Sequence, residues 1–345
     1  MINKILIVGP AWVGDMVMAQ CLFKLIKQRN PEVIIDVLAP AWSLPLLARM
    51  PEVAKAIVMP IGHGQLALRE RYRLGKSLRG NGYDQAILLP NSFKSALIPF
   101  FAKIPLRTGW RGEMRYFVLN DIRRLDEKRY PLMIERFMAL GLMPDEELPK
   151  DSFIPELQVS LESCAKSLAK HQLAFPESPV LALCPGAEFG PAKRWPEEHY
   201  ASIANAKLKE GWNVWIFGSP KDGPVAERIM ELTDQKCINL AGRTRLEEAI
   251  DLLSLATVVV SNDSGLMHIA AALKKTLIAV YGPTSATFTP PLNSEAKVLT
   301  LSLDCQPCFQ RTCPLKHHRC MLELRPENVL GAMNGMLNQS VTNGE

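Results

Sequence analysis

Two stretches of the chain begin in the same way, and that duplication constrains the fold more than any other feature. Lys4-Ile5-Leu6-Ile7-Val8-Gly9 and Pro179-Val180-Leu181-Ala182-Leu183-Cys184-Pro185-Gly186 each read as a short apolar strand running into glycine and proline turn chemistry. A strand without polar alternation has no face to offer water, so it must be covered on both sides, as the strands of parallel sheets are. A helical pattern over residues 17–29 and strands at 33–38 and 85–90 follow the first copy. After the second, Trp195-Pro196-Glu197-Glu198 opens a helix that Gly211 closes. Strands at 213–218, 237–240, 257–261 and 277–282 come next, with a helix over 246–256. Strand and helix alternate in both halves, which predicts an α/β chain of two Rossmann-like domains in series.

At 345 residues the chain is too long for one ordinary core and fits two domains. The expected boundary lies in 173-LAFPESP-179, beyond a helical stretch at 161–172, and gives domains 1–174 and 175–345. A last helix around 327–337 is a candidate to pack back on the N-terminal domain. With 48% hydrophobic and 22% charged residues the composition is that of a soluble globular protein, and no apolar run reaches bilayer length. The opening apolar run is broken by Pro10, Gly14 and Asp15 and lacks a small-residue cleavage site, so it reads as strand and turn and the chain as cytosolic.

The net charge of +5 is unevenly placed, with Arg69, Arg71, Arg73, Lys76 and Arg79 close together and Arg107, Arg111, Arg115, Arg123 and Arg124 in the same half. Such a run is either a solvated helix face or a surface that meets an anion. No recognised nucleic-acid motif or aromatic-interleaved basic run accompanies it. Eight cysteines include the cluster Cys305, Cys308, Cys313 and Cys320, with His317 and His318 nearby. Its one CxxC pair makes a structural zinc chemically allowed, but six residues separate the last two cysteines. Reduced, partly buried thiols in a compact C-terminal loop are the favoured state for a cytosolic chain.

Ligands of open parallel sheets sit beyond the carboxyl ends of the strands, where helix N-termini present N–H groups and a positive dipole end. Three turns qualify. In 9-GPAWVGD-15, Asp15 stands where a phosphate loop would place lysine, and a carboxylate there either caps the following helix or accepts a proton from a substrate hydroxyl. In 185-PGAEFGPAKRWPEEHY-200, Lys193 and Arg194 precede a helix start, an arrangement that an intervening anion reconciles with the helix dipole. In 261-SNDSGLMHIAAAL-273, Asp263 or Ser264 is the N-cap, Gly265 permits close backbone approach, and the amides from Ser264 to Met267 suit a diphosphate. His268, one turn further, is either a satisfied core residue or a phosphate donor.

These three turns, together with YGPTSA at 281–286 and CQPCFQRTCPLKHHRCM near the end, make the chain resemble the bacterial lipopolysaccharide heptosyltransferases of the glycosyltransferase B architecture. The resemblance runs over nearly the whole chain in order and spacing. It implies two Rossmann-like domains facing each other across a cleft, and inverting transfer of L-glycero-D-manno-heptose from ADP-heptose to heptosyl-Kdo2-lipid A without an obligatory metal. It further implies an acceptor held mainly by the N-terminal domain, a donor held by the C-terminal domain, and action at the cytoplasmic face of the inner membrane. On this resemblance Asp15 matches the catalytic base and Lys193 the lysine on the donor phosphates. Ser264, Gly265 and Leu266 match the diphosphate cradle, flanked by Asp263 and His268. Arg69, Arg71, Arg73 and Arg111 are candidates to grip the anionic acceptor. The residues alone leave other functions open: another nucleotide-sugar enzyme of the same fold, first-heptose transfer included, or a non-catalytic module for nucleic acid or anionic ligands with a zinc-stapled tail.

Overall fold

In the computed structural model, residues 2–62, 64–150 and 153–342 are described, and the chain divides into two compact units, Met1–Glu156 and Leu157–Glu345. The first unit carries strands β1 (Lys4–Val8), β2 (Ile34–Pro40), β3 (Lys55–Met59), β4 (Gln85–Leu88), β5 (Leu106–Trp110) and β6 (Asp121–Arg123). They form one sheet in the order β3-β2-β1-β4-β5-β6, with every pairing parallel. The second unit carries β7 (Val180–Cys184), β8 (Asn213–Ile216), β9 (Ile238–Asn239), β10 (Val258–Asn262), β11 (Thr276–Val280) and β12 (Ala296–Leu299). Its order, β12-β11-β10-β7-β8-β9, is also wholly parallel and repeats the first when read from the opposite edge. Both are the doubly wound Rossmann order, in which chain direction across the sheet reverses beside the first strand, between β1 and β4 and between β7 and β10.

The apolar runs that announced the fold are the central strands. Leu6, Ile7, Leu181, Leu183, Val258, Val259 and Val260 are wholly buried, because helices cover both faces of each sheet. Strands β3, β5, β6 and β12 were not anticipated. Three of them lie at sheet edges, where charged residues such as Lys55, Asp121 and Lys297 interrupt the apolar pattern. Edge strands are commonly short and charged, which blunts further pairing but also erases their signature.

Helix starts also differ from expectation in detail. The first helix spans Val13–Arg29 and so begins before residue 17. Pro196 occupies the N-cap of the helix Glu197–Lys209 instead of its first turn. At the other end of that helix the positive φ of Gly211, +84°, turns the chain into β8. The last helix, Pro326–Thr342, contributes Val329, Ala332 and Met333 to the second unit's core, and Lys207 Nζ donates to Asn334 Oδ1 at 3.2 Å.

The units divide upstream of the proline-containing stretch, because helix Leu161–Lys170 is tied to the second unit's helix Leu246–Ser254. Ser163 Oγ and Ser167 Oγ donate to the two carboxylate oxygens of the buried Asp251, each at 2.9 Å. Lys170 Nζ and His171 Nε2 meet the carboxylate of Glu248 one turn away. Removing a buried acceptor strands its donors, at a cost of about 1–3 kcal/mol each. Asp251→Ala should therefore lower unfolding stability by roughly 2–4 kcal/mol and expose the segment 161–172 to proteolysis, measurable by urea denaturation and limited digestion.

Candidate active site

The second unit's switch point is assembled around Asn262, the last residue of β10, whose side chain is fully buried. Its Nδ2 donates to the carbonyl of Pro185 at 2.7 Å, in the turn after β7. Its Oδ1 accepts from Tyr200 Oη at 2.9 Å and from the backbone N–H of Trp195 at 3.2 Å. One amide thereby fixes the end of β10, the turn after β7 and the start of the following helix. The next residue, Asp263, and the loop residue Lys193 are brought together as a result.

Lys193 Nζ donates to Asp263 Oδ2 at 2.6 Å, and Thr284 Oγ1 donates to the same oxygen at 2.6 Å. The two ionic side chains are only 12% and 6% exposed. A buried ion pair needs its remaining donors and acceptors satisfied to be tolerable. Thr284 serves the carboxylate in this way. An ammonium has three N–H donors, and the second contact of Lys193, to the carbonyl of Asp263, is long at 3.5 Å. The group can thus extend a donor to an incoming anion while still held. Its Nζ also lies 4.8 Å from the ring centre of Phe189, whose ring lies 5.4 Å from the Arg311 guanidinium.

Ser264 is the N-cap of helix Gly265–Ala272, extended at φ −150°, and its side chain makes no capping bond. The first N–H groups of a helix have no acceptor within it, so the amides of Gly265 and Leu266 stand beside Asp263 as a ready anion cradle. His268 is buried behind them, and burial pushes its pKa down to about 4, with Asp263 raising it and Lys193 lowering it in smaller measure. It is therefore neutral near pH 7 and can offer a hydrogen bond but no charge.

In the first unit, Asp15 lies in the first turn of helix Val13–Arg29, half-buried, beyond the carboxyl end of β1. The N-cap is Trp12, so Asp15 sits inside the helix and not at its cap. The four arginine candidates separate. Arg69, Arg73 and Arg111 are exposed. Arg71 is 5% exposed and spends its guanidinium on the carbonyls of Leu66, Lys94 and Gln65 at 2.6, 2.9 and 3.1 Å. It braces the loop before its helix and is not presented to a ligand. Arg115 is likewise buried and bonds to Trp110, Pro90 and Asn91.

Asn262 and Thr284 were not anticipated as site residues. Thr284 belongs to the YGPTSA motif, and the strand-end position of that motif, after β11 beside the switch point, was the available signal. All eight cysteines are free thiols. Among the described residues no group of three or more His, Cys, Asp or Glu stands ready-made for a metal ion.

The sequence profile of glycosyltransferase family 9 (heptosyltransferase) matches residues 71–319. The chain belongs to glycosyltransferase family 9. It is 49% identical to lipopolysaccharide heptosyltransferase 2 of Escherichia coli K12 over 97% of this chain and 99% of the relative. The lipooligosaccharide heptosyltransferase 2 of Haemophilus influenzae matches equally well, at 49% identity over 97% and 99%. Among solved structures, E. coli ADP-heptose LPS heptosyltransferase II superposes with a TM-score of 0.87 at 46% identity, covering 98% of this chain and 99% of that one. A family 9 structure from Veillonella parvula shares the fold at a TM-score of 0.83 and 18% identity, covering 98% and 97%. This family 9 chain is a glycosyltransferase of the GT-B class, built on two Rossmann-like parallel sheets.

The neutral His268 links the site to stability. Below its ordinary pKa of 6.5 an unfolded chain takes up a proton that the folded site refuses until about pH 4. Stability through this residue is thus complete above about 6.5 and falls as pH drops towards 4. His268→Gln should flatten the decline in unfolding free energy between pH 7 and pH 5 relative to the parent, as read by chemical denaturation at each pH.

Proposed function

We propose that this family 9 enzyme transfers L-glycero-D-manno-heptose from ADP-heptose to the heptose of heptosyl-Kdo2-lipid A in inner-core lipopolysaccharide synthesis. The single supporting observation is the ion pair of Lys193 and Asp263 at the N-terminus of helix Gly265–Ala272. It sets a cation and free amides where a nucleotide diphosphate would lie. The names of the relatives at 49% identity supply the sugar and the acceptor class.

In this mechanism Asp15 takes the proton of an acceptor hydroxyl as that oxygen attacks the anomeric carbon. The bond from that carbon to the diphosphate oxygen breaks on the opposite face, and the configuration inverts. Negative charge grows on the departing ADP. Lys193 and the amides of Ser264, Gly265 and Leu266 meet it, a preorganised arrangement that costs no rearrangement as the bond breaks. Asp263, kept in place by Thr284, holds Lys193 ready before the donor arrives and is the nearer candidate for sugar hydroxyls. His268 supplies one neutral hydrogen bond at the rear of the cradle. In the first unit Arg69, Arg73 and Arg111 are the cations available to an acceptor rich in phosphate and carboxylate. No helix among the described residues is long and apolar enough to cross a membrane; the lipid-linked acceptor of this reading sets its action at the cytoplasmic face of the inner membrane.

Asp15→Asn should reduce transfer by at least about 10²-fold, the scale of a lost general base, while leaving ADP affinity nearly unchanged by calorimetry. Retained transfer would remove Asp15 as the base. Lys193→Ala should lower turnover by about 10²–10³-fold, as for loss of a charge-stabilising donor, and should also weaken ADP binding. Comparing Kdo2-lipid A with heptosyl-Kdo2-lipid A as acceptor decides the position of the heptose. Turnover with the unheptosylated acceptor alone would refute addition of the second heptose.

A further inference from the structure

The run 300–318 contains no helix or strand. Loops beyond about 12–15 residues without secondary structure are uncommon inside compact domains and need something to hold them. Three backbone or amide contacts tie this one down. Gln306 Nε2 donates to the carbonyl of Gly282 at 2.7 Å, and the N–H of Phe309 to that of Pro283 at 2.7 Å. The N–H of Ala192 donates to the carbonyl of Arg311 at 3.1 Å, joining the loop to the turn that carries Lys193. Leu301 and Leu303 at the start of the loop pack against the second unit's core. Cys305, Cys308, Cys313 and Cys320 line one cavity together with His317 and Ala192, and its open centre measures about 20 Å³. A void of that size holds about one water-sized atom.

We infer that Cys305, Cys308, Cys313 and Cys320 bind one divalent cation of the zinc class, which staples this loop to the donor site. The shared cavity lining defines the ligand set. A CxxC pair supplies two thiols from one turn, Cys313 a third from the loop, and Cys320 a fourth from the short helix Arg319–Leu322 that follows it. Four thiols suit the closed tetrahedral arrangement of structural zinc. The four free thiols are uncharged, and a central dication would ionise them and offset the repulsion among the resulting thiolates. The thiols line the cavity without forming a finished ligand group, so binding draws them inward by a small movement of an irregular loop. On binding, each thiol that is still protonated releases its proton to solvent, and no electron is transferred.

The inference is tested on the full-length reduced protein without reference to its transfer activity. Purified protein is reconstituted with zinc, dialysed, and its metal measured by mass spectrometry. A second sample is loaded with cobalt and examined for thiolate-to-cobalt charge transfer and tetrahedral ligand-field bands. The expected result is about one zinc per chain, with intense cobalt bands of a multi-thiolate site. Cys305→Ser and Cys313→Ser should lose at least about tenfold in metal affinity, whereas Cys237→Ser, just before the edge strand β9 and outside the cavity lining, should keep it. Less than about a tenth of an equivalent of zinc in the unmodified protein, or cobalt spectra without thiolate bands, would overturn the site. These measurements on the parent decide even if a cysteine variant fails to fold.

Discussion

The buried side-chain amide of Asn262 is the interaction on which the candidate site depends. Its oxygen and nitrogen are both spent on groups from different parts of the second sheet: Pro185 after β7, and Trp195 and Tyr200 at the start of the next helix. The Rossmann order opens a gap at the switch point because neighbouring strands lead their helices to opposite faces. Asn262 closes the base of that gap. Lys193 and Asp263 arrive from segments seventy residues apart, and without a shared anchor their separation would follow the motions of two independent loops.

Electrostatics in the cradle follow from that anchoring. A lysine buried alone beside a helix N-terminus would oppose the dipole, and an aspartate buried alone would repel the phosphates that the dipole attracts. Paired, the two cancel, and the hydroxyl of Thr284 satisfies the carboxylate further. The pair is therefore tolerable before a ligand enters, and Lys193 keeps an N–H donor to offer one. His268 completes the design by remaining uncharged, which avoids adding a second buried cation behind the first.

Much of the architecture was legible in the central strands, since only fully covered strands dispense with polar alternation, as residues 5–8 and 180–184 do. The edge strands were not, because Asp121-Ile122-Arg123 carries no pattern that separates it from a loop. The cradle residues Lys193, Asp263, Ser264 and His268 could be read from turns that follow apolar strands. Arg71 shows where such inference stops: in sequence it belongs to a basic run, and only tertiary structure reveals that three carbonyls consume its donors. Thr284 was hidden for the opposite reason, being a common residue whose importance comes from a partner twenty-one positions away. The unit boundary lay beyond reach because helix Leu161–Lys170 takes its allegiance from Asp251 and Glu248, far along the chain.

The contact of Gly190 with Arg311 carries a consequence for variation. A side chain at residue 190 would collide with the Arg311 backbone, and the same carbonyl receives the N–H of Ala192. The two loops are interlocked through main-chain atoms, whose shape no single side-chain change can adjust. Exchange of the cysteine-rich loop between relatives would therefore have to carry the segment around 186–193 with it, making the two a paired unit of inheritance though more than a hundred residues of other structure lie between them.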